Sequence, residues 1–134
     1  MDVLIDTSVW VSYLRGDGGR AHGWLRGQIA TPESLVTTEP VVMELLAGAP
    51  PGGARQTLED VLVGMRTASV VSDTDFRAAG LLAQAVRRHG RTIRSIVDCL
   101  IAGVALRADI TLAHRDADFD AIAAVAPLRT IDLR

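Results

Sequence analysis

The sequence predicts one α/β domain over residues 1–134, built in three layers with a central parallel sheet of four or five short strands. Three observations carry that expectation. Short apolar or β-branched runs alternate with longer segments of helical period. The runs are too short and too apolar for strands with a wet face, which is the habit of parallel sheets covered on both sides. No internal repeat, long linker or low-complexity tract interrupts the alternation, and 134 residues can bury a core without covalent staples.

Taken in order, "DVLI" (residues 2–5) is the first strand, and "SVWVSYL" (8–14) starts a helix directly after "DTS". "GGRAHGWLRGQI" (18–29) is a weaker helix, diluted by glycine, and "SLVTT" (34–38) a second strand. "EPVVMELLAG" (39–48) is a helix with Pro40 near its start, where a missing N–H costs nothing, and Gly48 near its stop. "APPGG" is the clearest break, followed by an amphipathic helix over 54–65 and a β-branched strand, "TASVV", over 67–71. The longest helical pattern spans 73–90, with Phe76, Ala79, Leu82, Ala83 and Val86 on one face. "SIVDCLIAGVALRA" (95–108) is nearly all apolar and therefore central. A strand (109–113), a helix (116–126) and a last strand (128–133) complete the order.

Composition narrows the class. The chain is 49% hydrophobic with a mean hydropathy of +0.25, yet no uninterrupted stretch approaches a membrane span. The start, "MDVLIDTSVW", has an acid at position 2 and no basic flank, so it does not read as a secretory signal. Cys99 is the single cysteine. It has no partner for an intrachain disulfide, reads as a small buried hydrophobe, and fits a reducing, cytoplasmic setting. Net charge is only -2, but all 14 basic residues are Arg. Five of them (Arg77, Arg87, Arg88, Arg91 and Arg94) fall between Asp75 and Asp98 with no acid among them, so overall neutrality does not exclude an anionic partner meeting one face.

The acids carry the chemistry. Asp6 follows "VLI" and Asp116 follows "ITLAHR", both at carboxyl ends of expected strands, where open α/β sheets bind ligands. Glu44 and Asp98 interrupt helices that otherwise look buried, and burying an isolated carboxylate is costly. Singly, each acid has an ordinary role. Asp6 can cap the next helix, Asp98 can form a capping box with Ser95, and Asp116 can cap the last helix with Asp118 in its first turn. Glu44 can pair with an Arg. Capping does not explain why several acids converge on one end of one sheet. Hard divalent cations take oxygen ligands, so the set fits Mg²⁺ or Mn²⁺ better than zinc. A phosphoacceptor domain would commonly need a lysine. An aspartate-nucleophile phosphatase would show an acid two residues after the first, where Ser8 stands. Neither nucleotide-binding glycine signature is present.

Four stretches, "DVLIDTSVWV", "TTEPVVMELLAG", "SIVDCLIAGVAL" and "TLAHRDADFDAIA", together resemble the successive signatures of PIN-domain ribonucleases. The nearest resemblance is to the VapC-type toxins of toxin–antitoxin pairs, and it covers essentially the whole chain. It implies a PIN-like fold and a metal-dependent endoribonuclease that cleaves RNA and is inhibited by a cognate antitoxin. Carried over residue by residue, the metal-binding and catalytic acids fall on Asp6, Glu44, Asp98 and Asp116. Asp118 is an auxiliary ligand in the "DxDF" segment, and Thr7 and Ser8 are supporting hydroxyls. Asp120 lies outside the matched core and reads as a solvated helix residue.

An acidic pocket repels an RNA backbone, so Arg91, Arg94 and Arg115 are the expected RNA-binding residues. His114 reads as a surface or strand-end residue in preference to a metal ligand. The resemblance further implies an antitoxin segment over the N-terminal helices, with Trp10 and Trp24 as contacts and core packing as the alternative. It also implies a homodimer, and it allows a transfer RNA as substrate. The rival reading is a catalytically silent RNA- or protein-binding module, which would bind without metal and tolerate loss of Asp98.

Overall fold

The computed structural model describes the backbone of residues 1–134 and every side chain but that of Ala54. Strand β1 (Val3–Ile5) leads into α1 (Thr7–Arg15) and α2 (Arg20–Ile29), and a short 3-10 turn (Pro32–Ser34) precedes β2 (Leu35–Thr37). Helices α3 (Glu39–Gly48) and α4 (Gly53–Val63) lead to β3 (Arg66–Thr67). The long α5 (Ser72–Arg88) and α6 (Ile96–Ala108) then precede β4 (Thr111–His114), α7 (Ala117–Ala123) and β5 (Thr130–Asp132). The five strands form one sheet in the order β3-β2-β1-β4-β5, every neighbouring pair parallel.

That order places the site. The chain starts in the middle of the sheet, runs outward through β2 and β3, then returns to the other side of β1 for β4 and β5. The order reverses between β1 and β4, where open parallel sheets leave a crevice at the carboxyl ends of the strands. Register sets Ile5 beside Ala113, and the Asp6 N–H extends the ladder by donating to the Ala113 carbonyl at 2.9 Å. The residues after β1 and after β4 are thereby brought to one edge.

The three inner strands have no wet face. Every residue of β1, β2 and β4 is buried, leaving no solvent face to pattern. Leu4, Ile5, Leu25, Leu58, Ile101, Leu112, Phe119 and Ile122 are among the largest fully enclosed side chains. Cys99 is enclosed with them, and burial, followed by the charge of Asp98, pushes its thiol up to about 11. No helix is long and apolar enough to cross a membrane among the described residues.

Two expectations need correction. The expected strand over 67–71 ends at Thr67. The Ala68 N–H still reaches the Thr37 carbonyl at 2.8 Å, but the next donors are captured by helix side chains. The Val70 N–H goes to the Glu39 carboxylate and that of Val71 to Asp75, each at 2.8 Å. Trp10 is fully enclosed, edge-on to Tyr13 at a 6.1 Å centroid distance, so it is a core residue and offers no surface to an antitoxin. Trp24 on α2 is half-buried and keeps an outward side.

Helices α5 and α6 are joined by an ion pair whose acid is buried and whose arginine is partly exposed. Asp75 is 0% exposed and receives the Arg107 Nε–H at 2.9 and 3.1 Å, while Arg107 also donates to the Ser69 carbonyl at 2.8 Å. Burial alone would raise the Asp75 carboxyl, but the bond from Arg107, helped by the Val71 N–H, holds it below its ordinary value.

Candidate active site

Asp6 is both a helix cap and something more. Its Oδ2 accepts the Ser8 N–H at 2.9 Å and the Ser8 hydroxyl at 2.5 Å, which starts α1. Its Oδ1 is buried and has no hydrogen-bond partner. Such an orphaned oxygen is expensive unless a cation or another ligand completes it. Burial pushes the Asp6 carboxyl up to about 6, with the Glu44 charge adding to the rise and the Ser8 bonds opposing it.

Asp98 lies in the first turn of α6 and is only 6% exposed. The expected capping box is not formed. Ser95 occupies the cap position without a side-chain bond, and the Asp98 carboxyl turns instead toward Asp118. Burial is the largest influence on it, followed by the shared hydrogen bond with Asp118 and the charges of Asp6, Asp116 and Asp118. Together they push Asp98 up to about 9. At neutral pH it therefore holds a proton in the free protein.

Asp116 caps α7 through the Asp118 N–H at 2.9 Å, and its own N–H donates to His114 Nδ1 at 3.1 Å. Asp98, Asp116 and Asp118 each offer a carboxylate oxygen within 4.8 Å of the others. Asp6 stands outside that trio but close enough for its charge to act on Asp98. Glu44 projects from α3 on the Asp6 side, where its Oε1 accepts the Thr7 hydroxyl at 2.7 Å. Asp118 is already engaged: its oxygens accept the main-chain N–H of Arg94 at 3.1 and 3.2 Å and that of Ser95 at 3.1 Å. It clamps the α6 start to α7.

The two supporting hydroxyls differ. Thr7 holds Glu44, whereas Ser8 donates to Asp6 and accepts the Arg115 N–H at 3.0 Å, tying the loops after β1 and β4 together. The three arginines at the rim all pair with acids. Arg91 meets Asp120 at 3.1 Å, Arg115 meets Asp17 at 3.3 Å, and Arg94 meets Asp116 at 3.1 Å. Asp120 is the exposed helix residue expected.

Sequence reasoning missed two supports. His114 is not the surface residue expected: it is enclosed, lies tilted against Phe119 at 5.2 Å and accepts the Asp116 N–H on its ring nitrogen. Ser12 and Arg115 converge on Asp17, for which the turn-like "GDGG" was the only signal.

This donor set fits a hard divalent cation. It consists of carboxylates, one with a buried unpartnered oxygen and one that burial and like charge keep protonated, and it contains no thiolate or free imidazole.

A parallel sheet whose central strand ends present converging acids is the arrangement of the PIN domain, whose family model matches residues 3–125; the chain belongs to that family. Within it the chain falls in the VapC branch. It is 41% identical over 133 residues to ribonuclease VapC11 of Mycobacterium tuberculosis and, equally, to a VapC ribonuclease of Mycobacterium bovis, covering 98% of this chain and 99% of each relative. The fold matches VapBC2 from Rickettsia felis, solved bound to promoter DNA, with a TM-score of 0.73 at 15% identity and full coverage of both chains. It also matches VapC20 of M. tuberculosis, described as a sarcin-ricin loop cleaving toxin, with a TM-score of 0.68 at 25% identity, covering 96% of this chain and 99% of that one.

Proposed function

We propose that this protein is a metal-dependent endoribonuclease toxin that hydrolyses RNA phosphodiester bonds and is held inactive by a cognate antitoxin. The observation that carries the reading is the unpartnered, buried Oδ1 of Asp6 beside the Asp98, Asp116 and Asp118 carboxylates at the strand-order reversal. Full-length relatives named ribonucleases, and structural neighbours solved as toxin–antitoxin complexes, support the same reading. A silent interaction module gives no reason to bury such acids together.

Asp6, Asp98 and Asp116 would hold the cation, Mg²⁺ or Mn²⁺, directly or through water. When bound, it supplies charge against the nonbridging phosphate oxygens and makes water a better nucleophile. Asp118 keeps its place as the clamp that fixes Asp98 and Asp116 relative to each other. Glu44, with one oxygen fixed by Thr7, has the other available to orient an attacking water and take its proton. Ser8 holds Asp6 so that Oδ1 points away from the helix cap. Arg94, paired with Asp116, together with Arg91 and Arg115, would supply the positive charge that an RNA backbone requires.

RNA is the substrate class, with transfer RNA a candidate, and the half-buried Trp24 is a candidate antitoxin contact. A homodimer would cover the exposed Met43, Phe76 and Ile96, which line an apolar groove of about 730 Å³ between α3, α5 and α6. The enclosed, unpaired Cys99 supports a reducing cytoplasmic setting.

The reading is tested by incubating antitoxin-free protein with a total-RNA pool in Mg²⁺, Mn²⁺ or EDTA. Discrete fragments without 2′,3′-cyclic phosphate ends, formed only with metal, are expected. Fragments that persist in EDTA contradict it.

The raised Asp98 carboxyl adds a pH dependence. A cation must expel its proton, so Mn²⁺ affinity rises with pH until about 9 and then levels. One displaced proton gives at most about a tenfold gain per pH unit. Calorimetry in buffers of different ionisation enthalpy should show about one proton released near neutrality. An affinity flat between neutral and mildly alkaline pH contradicts a protonated Asp98.

A further inference from the structure

We infer that Arg94 is a built-in counter-cation of the acid cluster, one that a divalent ion must displace from Asp116 and that then serves the RNA phosphate. The inference rests on the nuclease reading above and gives one of its rim arginines a second, opposing role.

The geometry singles out this side chain. Arg94 Nη2 donates to Asp116 Oδ1 at 3.1 Å, and its Nε lies 3.9 Å from Asp118 Oδ1. Among the described residues it is the only cation paired with a member of the trio. Arg91 and Arg115 pair with Asp120 and Asp17, outside it, and Arg107 is spent on Asp75. Its main chain is fixed, because the N–H groups of Arg94 and Ser95 both bond Asp118. The side chain beyond that anchor is 75% exposed. Arg94 is therefore an arm with a held base and a free end.

A pair so exposed is weak, so release is cheap, and a doubly charged ion among several carboxylates outcompetes a single guanidinium nitrogen. The contact uses one nitrogen of a group built for two-pronged binding, and a phosphate offers the matching pair of oxygens. Two effects of opposite sign follow. In the free protein Arg94 opposes cation loading, and in the loaded protein it supports RNA. A merely structural arginine would move both readouts together or neither.

The test is calorimetric titration of Mn²⁺ into the wild type, Arg94→Gln and Arg94→Lys at low ionic strength, with the KM for RNA measured at saturating Mn²⁺. The Asp118 clamp is main chain, so both variants keep it. Arg94→Gln should bind Mn²⁺ about two- to tenfold more tightly, with the gain shrinking as salt rises, while its KM for RNA increases severalfold. Arg94→Lys, which keeps the charge, should stay near the wild type in Mn²⁺ affinity. Equal or weaker Mn²⁺ binding by Arg94→Gln overturns the inference and leaves the nuclease reading standing. Absence of Mn²⁺ binding by every form overturns the metal-site reading itself.

Discussion

Replacing Asp98 with Asn should lower metal-dependent RNA cleavage by at least about 10³-fold while making the metal-free protein more stable. The two effects share one cause. Asp98 stands among Asp6, Asp116 and Asp118 in a site it enters only by keeping a proton. Its folded value of about 9 lies above the ordinary 3.8, so the native state binds a proton that the unfolded chain releases. Stability from this group is complete below the lower value and is lost progressively as pH rises toward the upper one. Asn never bears the charge, and its amide can still donate to Asp118. The variant should therefore gain about 1–2 kcal/mol at neutral pH in EDTA, with the gap widening toward pH 9. Thermal melts at acidic, neutral and alkaline pH read this directly. A variant that melts lower than the wild type at every pH would show that the acid is structural and the site wrongly assigned.

The largest loss of stability is expected far from the chemistry, at Arg107. Arg107→Met leaves Asp75 fully buried with its charge uncompensated, because only the Val71 N–H would remain on the carboxylate. Removing one partner of such a pair costs about 3–5 kcal/mol, and partial exposure of Arg107 places this case near 3. The corresponding fall in Tm is on the order of 10 °C. Adding Asp75→Asn should restore part of it, since the stranded charge is then gone. Cleavage per folded molecule should not change in either variant below the transition. If Arg107→Met melts within a degree or two of the wild type, the pair is not what joins α5 to α6.

Much of the fold was legible because period and length are local properties. The all-apolar "VLI" and "TLA", set between helical segments, left few alternatives to a parallel sheet, and the acids after them could be placed at strand ends without coordinates. Failures came where a distant side chain decides. "TASVV" has the composition of a strand, but Glu39 and Asp75, from helices on either side of it in sequence, take the backbone donors a ladder would need. Ser95 and Asp98 have capping-box spacing, yet the Asp98 carboxyl spends its hydrogen bond on Asp118.

Trp10 shows the same limit on the aromatic side. Its place near the chain start is compatible with a partner contact or with the core, and the turn of α1 directs it into the core. Of the candidate site, the positions of Asp6 and Asp116 at strand ends were readable and the hydrogen-bond partners of the acids were not. Nothing in "DADFD" distinguishes Asp116, which caps α7 and pairs with Arg94, from Asp118, which is clamped by main-chain N–H groups 23 and 24 residues away. The direction in which Arg94 points is likewise a property of the folded loop alone.

If the acids at the carboxyl ends of β1 and β4 form one divalent-cation site, anomalous diffraction from crystals grown with Mn²⁺ at mildly alkaline pH will locate the ion there. The expected result is a peak enclosed by Asp6 Oδ1, Asp98 and Asp116, with the Arg94 guanidinium moved off Asp116. A protein that cleaves RNA with Mn²⁺ yet shows its peak on other acids, or none at this one, would contradict it.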